Sequence, residues 1–364
     1  MVRAAYPERM HRLPFLTVPI VQAPMAGATS PELVAAVANA GGLGSLPGGY
    51  DAPEMIRERI ARVRALTDRP FAVNLFVDTS PGASAEQLAR ANERLRPYRE
   101  ELGIAQPAQP RVSSVTWEGQ LEAMFAARPA VFSFTFGIPD AAVFARCWEL
   151  GIFTLGTAET VDQAVALERA GADAVCMQGF EAGGHHGTIR SAVDDALTGT
   201  LALVPQAVDA VRVPVLAAGG IGDGRGVAAV LALGAAAAQV GSAFLLADES
   251  AVPAPARAVL ASDAARRTVL TNAFSGRYAR GVRNRFIDEM DGDDAIAPYP
   301  FQHALTGDLR AAAAAAGRTE FLSMWAGQAV ALSRALPAAE IVRRLVSGAH
   351  ESLAAARATL ADSR

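Results

Sequence analysis

The chain of 364 residues contains no lysine, so all 33 of its basic side chains are arginine. Enzymes that form a Schiff base with a carbonyl substrate or with pyridoxal phosphate need a lysine amine, and that chemistry is excluded. Cysteine is nearly absent too. Cys147 and Cys176 stand far apart inside apolar segments and read as buried core thiols, not as a disulfide framework or a metal site, which suits a cytoplasmic enzyme. The charge is close to balanced at −4 with no basic run, so the electrostatic footprint of a nucleic-acid binder is missing. The N-terminal MVRAAYPERMHRLPFL lacks the roughly 7–15-residue apolar core of a signal peptide. Residues 228–247 are uncharged and long enough for a crude membrane-span test, but Gly234, Gln239, Gly241 and Ser242 divide them into a helix end, a short strand and a turn. The expected partners are small molecules, without nucleic acid or membrane, and a homodimer is the assembly to consider.

Half of the residues, 51%, are hydrophobic, enough to bury a large core. Eight short β-rich runs recur along the chain: PIVQAP, GLGSLP, FAVNLFV, VFSFTFG, IFTLGT, ADAVCMQG, VPVLAAGG and AAQVGSAFL. Helical patterns with start and stop signals lie between them. Ser30, Pro31 and Glu32 open one that Gly41 ends, Ser84 with Gln87 forms a capping box, and a helix over 162–170 stops at Gly171. Strands alternating with helices imply right-handed parallel βαβ units, and eight of them predict a closed (β/α)8 TIM barrel, with an open doubly wound sheet as the alternative. Two connections are long, 78–129 with extra helix and 180–203 rich in loop. After about residue 265 the rhythm changes to loops and helices, so the expected organisation is a barrel over 1–265 and an additional mainly helical region over 266–364.

The chemistry of such a barrel sits at the carboxyl ends of its strands. AAGGIGDGRG (217–226) follows the seventh strand candidate and GSAF (241–244) follows the eighth. Glycines there let backbone N–H groups approach phosphate oxygens. Either loop alone is as consistent with a tight turn, but two on successive strands point to a phosphate cradle made of backbone amides, Ser242 and an arginine. A dinucleotide fingerprint is weaker, because the acidic residue expected about twenty positions on is missing.

QGFEAGGHHG (178–187) ends the sixth strand candidate and places two histidines between glycines. In an extended segment neighbouring side chains point to opposite sides, so one of His185 and His186 faces the mouth. His11, His303 and His350 have no ligand-type spacing to the pair, and no metal is expected. A neutral imidazole can take an α-proton or hydrogen-bond an anionic nitro group. Glu181 could orient it or cap the loop's own amides, and Arg277 and Arg280 could hold an anion or lie in a solvated turn.

Eight segments in order, QAPMAG (22–27), VNLF (73–76), SFTFG (133–137), QGFEAGGHHG, AAGGIGDGRG, QVGSAF (239–244), SGRYARGVRN (275–284) and WAGQ (325–328), resemble the FMN-dependent nitronate monooxygenases, formerly called 2-nitropropane dioxygenases. The resemblance implies FMN in the barrel mouth, with its phosphate at Gly219, Gly220, Gly241 and Ser242. It implies a cofactor ring near Pro24, Met25, Asn74, Gln178 and Gly183, with Gln239 also on the cofactor, and His185 as the catalytic histidine. The reaction implied is oxidation of alkyl nitronates such as propionate-3-nitronate by O2 to a carbonyl compound and nitrite, with the flavin passing single electrons. Where the family often carries a lysine in its C-terminal substrate region, this chain offers Tyr299, Phe301 and His303. NAD(P)H:quinone and enoyl-thioester reductases on the same barrel are the competing reading, and a flavin-binding barrel without turnover is a third.

Overall fold

The computed structural model describes residues 13–77, 82–107, 115–187, 196–290, 292 and 294–361. Its central sheet contains eight parallel strands: β1 (Ile20–Gln22), β2 (Gly44–Pro47), β3 (Phe71–Phe76), β4 (Val131–Thr135), β5 (Phe153–Ala158), β6 (Ala174–Gln178), β8 (Val215–Ala218) and β9 (Ala237–Val240). The order β1-β9-β8-β6-β5-β4-β3-β2 is closed by a parallel bridge between Val21 and Leu43. All eight predicted runs are strands of a (β/α)8 barrel. Between them, the predicted helix signals act where they stand. Ser30 accepts from the Leu33 N–H, Ser84 and Gln87 form a reciprocal capping box, and Gly171 ends Val161–Ala170 in the left-handed region at φ 104°.

Strand alternation then decides what the barrel encloses. On β3, Phe71, Val73 and Leu75 face the surrounding helices, while Ala72, Asn74 and Phe76 face inward. At the amino ends the inward residues are apolar: Val21, Ala72, Val131, Ala174 and Ala237 form a plug that Leu13 completes from below. Toward the carboxyl ends they become Asn74, Ser133, Thr135, Thr157, Gln178 and Gln239, and these line a cavity. The plug supplies stability and the polar layer supplies chemistry.

The region after residue 265 differs from the predicted loops and helices in one respect. A seventh strand in chain order, β7 (Gly184–His185), leaves the histidine loop and pairs antiparallel with β11 (Ala279–Val282), which pairs with β10 (Thr268–Thr271). Strands this short carry no readable alternation, but they fasten the histidine loop to the cap. The cap core, built on Phe274, Phe286 and Phe321, also recruits Ala91, Leu95 and Tyr98 from the long connection after β3. Arg99, 1% exposed, ties that connection to the cap through Asp308 at 2.8 Å and the Leu305 carbonyl at 2.8 Å.

The last helix, Ala338–Ala361, returns to the barrel and buries Ile341, Val342, Leu345 and Ala349 in the barrel's outer core. It crosses helix Gly224–Ala232 at two glycines, where a Cβ on Gly224 would lie 2.3 Å from the Gly348 carbonyl carbon. Residues 228–247 divide as predicted into the end of that helix, β9 and a short 3-10 turn at Ser242–Phe244. Among the described residues no helix is long and apolar enough to cross a membrane.

Candidate active site

The mouth of the barrel opens into a cavity of about 490 Å3, within the usual range of small-ligand and cofactor sites. Every residue that the resemblance assigns to the cofactor or to catalysis borders it. Pro24 and Met25 come from the loop after β1, Asn74 from β3, and Gln178, Gly183 and His185 from β6 and its loop. Gly219 and Gly220 follow β8, Gln239 lies on β9, and Gly241 and Ser242 follow it.

At one end the backbone itself forms the surface. Gly219 and Gly220 have φ of +105° and +70°, a conformation that glycine adopts without strain. Among the described residues, the N–H groups of Gly220 and Gly241 donate to no protein acceptor. Ser242 Oγ accepts from the Gly327 N–H at 2.8 Å, which leaves its own proton to donate. Gly183 and Gly327 bring two backbone segments together, since a Cβ on Gly183 would stand 2.3 Å from the Gly327 nitrogen. Unpaired amides and a hydroxyl around a surface without side chains fit a phosphate.

Across the cavity stands His185. Gln178 holds the loop, donating to the His185 carbonyl at 3.0 Å and accepting from the Gly187 N–H at 2.9 Å. The ring of His185 lies deep beside the cavity, with Nε2 2.9 Å from Ser275 Oγ. Burial pushes its pKa down from 6.5 to about 3, helped by the positive charges of Arg277 and Arg310 and by His186, so the imidazole is neutral. The Ser275 hydroxyl donates its one proton to the Arg277 carbonyl at 2.9 Å. It therefore accepts from His185 Nε2–H, and Nδ1 keeps the lone pair. His186 points the other way, fully buried beside Glu159.

Around His185 is a box of rings. Trp325 is 5.5 Å away between centroids, Phe136 5.8 Å and Tyr299 6.1 Å, while Tyr50 and Phe76 are each 6.5 Å away. His303 stacks on Tyr50 at 4.1 Å, and burial with the nearby Arg310 drives its pKa down to about 2. Burial raises the pKa of the Tyr50 hydroxyl well above 10, and the neighbouring Tyr299 adds to the rise.

Three side chains do other work than the sequence offered. Glu181 does not orient His185, and caps a helix instead: its carboxylate accepts from the Thr200 N–H at 3.0 Å and the Thr200 hydroxyl at 2.9 Å, at the start of Thr200–Ala210. Arg280 is 2% exposed, bonds the Phe180 carbonyl at 3.1 Å and lies 4.3 Å over the Phe180 ring, outside the cavity lining. Arg277 covers the Phe136 ring at 3.9 Å and donates to the His186 carbonyl at 3.3 Å, and it too is absent from the lining. The arginine that reaches the cavity is Arg310, donating to the His303 carbonyl at 2.8 Å. Sequence reasoning missed it because it sits on an alanine-rich helix, and its position seven residues after His303 was the one available signal.

The nitronate monooxygenase family profile matches residues 8–348. A probable nitronate monooxygenase of Staphylococcus aureus (strain JH9) is 40% identical over 343 residues, covering 93% of this chain and 96% of that protein. Among solved structures, the nitroalkane oxidase of Streptomyces ansochromogenes superposes with a TM-score of 0.88 at 43% identity, covering 94% of this chain and 98% of the other. FabK of Thermotoga maritima gives a TM-score of 0.73 at 30% identity, covering 94% of this chain and 96% of the other. An oxidoreductase barrel with a glycine cradle facing a neutral histidine, matched along nearly its whole length, belongs to the nitronate monooxygenase family.

Proposed function

We propose that the chain binds FMN in this cavity and oxidises alkyl nitronates, propionate-3-nitronate among them, with O2. Two nitronates and one O2 balance, in atoms and charge, with two carbonyl compounds and two nitrite ions. The observation that carries the reading is that one cavity joins a cradle of unpaired amides to a neutral imidazole with its tautomer fixed.

The amides of Gly220 and Gly241 and the Ser242 hydroxyl would hold the phosphate. Pro24, Met25, Asn74, Gln178, Gly183 and Gln239 would border the ring. When bound, the flavin supplies one-electron transfer between substrate and O2.

The protein's own contribution centres on His185. With a neutral nitroalkane, Nδ1 takes the α-proton, and the C–H electron pair moves into the nitro group to give the nitronate. With a preformed nitronate the ring orients the anion. The aromatic box keeps water from the reacting carbon. Arg310, with no carboxylate in salt-bridge range among the described residues, would hold a substrate carboxylate, supplying the positive charge for which the chain has no lysine. Cys147 and Cys176 are buried and free, with thiol pKa values pushed up to about 12, which fits a cytoplasmic enzyme.

The visible spectrum of the purified protein tests the reading, followed by anaerobic mixing with propionate-3-nitronate and, separately, NADPH. The expected result is a yellow protein bleached by the nitronate and left coloured by NADPH. A colourless protein that gains no flavin from added FMN overturns it. Rapid bleaching by NADPH alone turns it toward an NAD(P)H-dependent quinone or enoyl-thioester reductase.

A further inference from the structure

Behind the catalytic loop lies a buried carboxylate–imidazole pair with no part in the reaction as described. Glu159 follows β5 in the inward-facing register of Leu155 and Thr157, beyond the cavity lining, and is 0% exposed. Thr160 caps the next helix, so the Glu159 carboxylate is not used for capping. It lies 2.5 Å from His186 Nδ1, also 0% exposed, off the line of a hydrogen bond. Among the described residues neither carboxylate oxygen and neither His186 ring nitrogen has an aligned partner.

A positive group faces the same carboxylate. Arg277 interacts electrostatically with Glu159 while its Nε bonds the His186 carbonyl, and its own carbonyl takes the Ser275 proton. Two links therefore run from this cluster to the catalytic ring: one through Ser275 to Nε2, the other through the His185–His186 peptide. The charged or titratable groups around His185 are Arg277 from the loop before β11, Arg310 from helix Gly307–Ala316, His186 beside it, Tyr50, Tyr299 and His303. Both arginines disfavour a proton on His185; Glu159 is set against Arg277, and Asp308 against Arg310.

We infer that Glu159 is a positioning residue that acts on His185 through charge, offsetting Arg277 so that transfer of an α-proton to the imidazole is less opposed. The inference rests on His185 being the base. It makes a demand that a packing role does not: only the substrate that must lose a proton should notice the charge.

The test uses FMN-loaded wild type, Glu159→Gln, Arg277→Gln, the double variant and His185→Asn, each on nitroethane and on preformed ethylnitronate at one pH. Glu159→Gln is expected to lose about five- to tenfold in kcat/KM on nitroethane and little on ethylnitronate. Arg277→Gln is expected to gain on nitroethane, and the double variant to recover toward wild type. Equal losses on both substrates, or losses in both single variants without recovery in the double, make the cluster a brace and overturn the inference. Should Glu159→Gln fail to load FMN, Arg277→Gln decides alone, because failure to gain on nitroethane overturns the inference. If His185→Asn keeps its nitroethane activity, the base reading and the inference fall together. If His185→Asn loses that activity and Glu159→Gln does not, the inference falls alone.

Discussion

Ser275 Oγ stands 2.9 Å from His185 Nε2 and has already given its proton to the Arg277 carbonyl. A hydroxyl with one proton cannot donate twice, so it fixes the tautomer of the histidine as well as its direction. Ser275→Ala removes that acceptor and lets the ring exchange tautomers. We expect it to load FMN normally and to lose about tenfold or more in kcat/KM on nitroethane, with a smaller loss on ethylnitronate. Equal rates for Ser275→Ala and wild type on nitroethane would falsify the tautomer argument.

The cradle makes a prediction about cofactor content. Gly220 has φ +70°, which a β-branched residue resists, and its N–H is unpaired. Gly220→Val is expected to purify mostly as apoprotein. Arg57→Ala, on an outer helix with half of its side chain exposed, is expected to keep its flavin. Equal flavin absorbance in the two variants would place the phosphate elsewhere.

Acid sensitivity follows from the two depressed imidazoles. The pKa values of His185 and His303 lie at about 3 and about 2 in the fold against an ordinary 6.5, so on acidification the unfolded chain takes the protons first. Their contribution to stability is complete above about pH 6.5 and is lost as the pH falls toward 3, so stability rises with pH across that window. The midpoint of urea unfolding should fall between about pH 7 and pH 4, and replacing His303 with Asn should shallow the fall. In the same range kcat/KM on a nitronate should show no inflection near 6.5, and an inflection there would mean that His185 titrates as an exposed ring.

Arg310 predicts selectivity. A charge-assisted contact is worth about 1.5–3 kcal/mol, so Arg310→Met should raise KM for propionate-3-nitronate by about tenfold or more. Ethylnitronate, which lacks a carboxylate, should be affected less. Matching increases for the two substrates would show that Arg310 holds the nitro group or the fold, not the carboxylate.

The barrel was legible because each strand is a short continuous apolar run between strong helix signals, and parallel strands buried on both faces require such runs. The site was legible for a related reason. Glycine-rich loops and adjacent histidines at strand ends break the pattern around them, and Gly219, Gly241 and His185 all converge on one cavity. What stayed hidden depends on contacts between distant segments. Glu159 reads as an ordinary residue before a helix, Tyr50 as part of a turn, and Arg310 as a solvated cation on an alanine run. Only closure of the cap brings Tyr50, His303 and Arg310 together. The strands β7, β10 and β11 were invisible because two to four residues are too few to show alternation.

The central claim is that His185, and not its neighbour, faces the chemistry as a neutral base. The most direct measurement is kcat/KM for His185→Asn and His186→Asn, each on a neutral nitroalkane and on its preformed nitronate at fixed pH. With FMN still bound, His185→Asn is predicted to lose about 10²–10⁴-fold on the nitroalkane and distinctly less on the nitronate. His186→Asn, which removes a buried ring beside Glu159, should lower stability while leaving both rates far closer to wild type. A crippled His186→Asn beside an active His185→Asn, or full nitroalkane activity in both, would contradict the account.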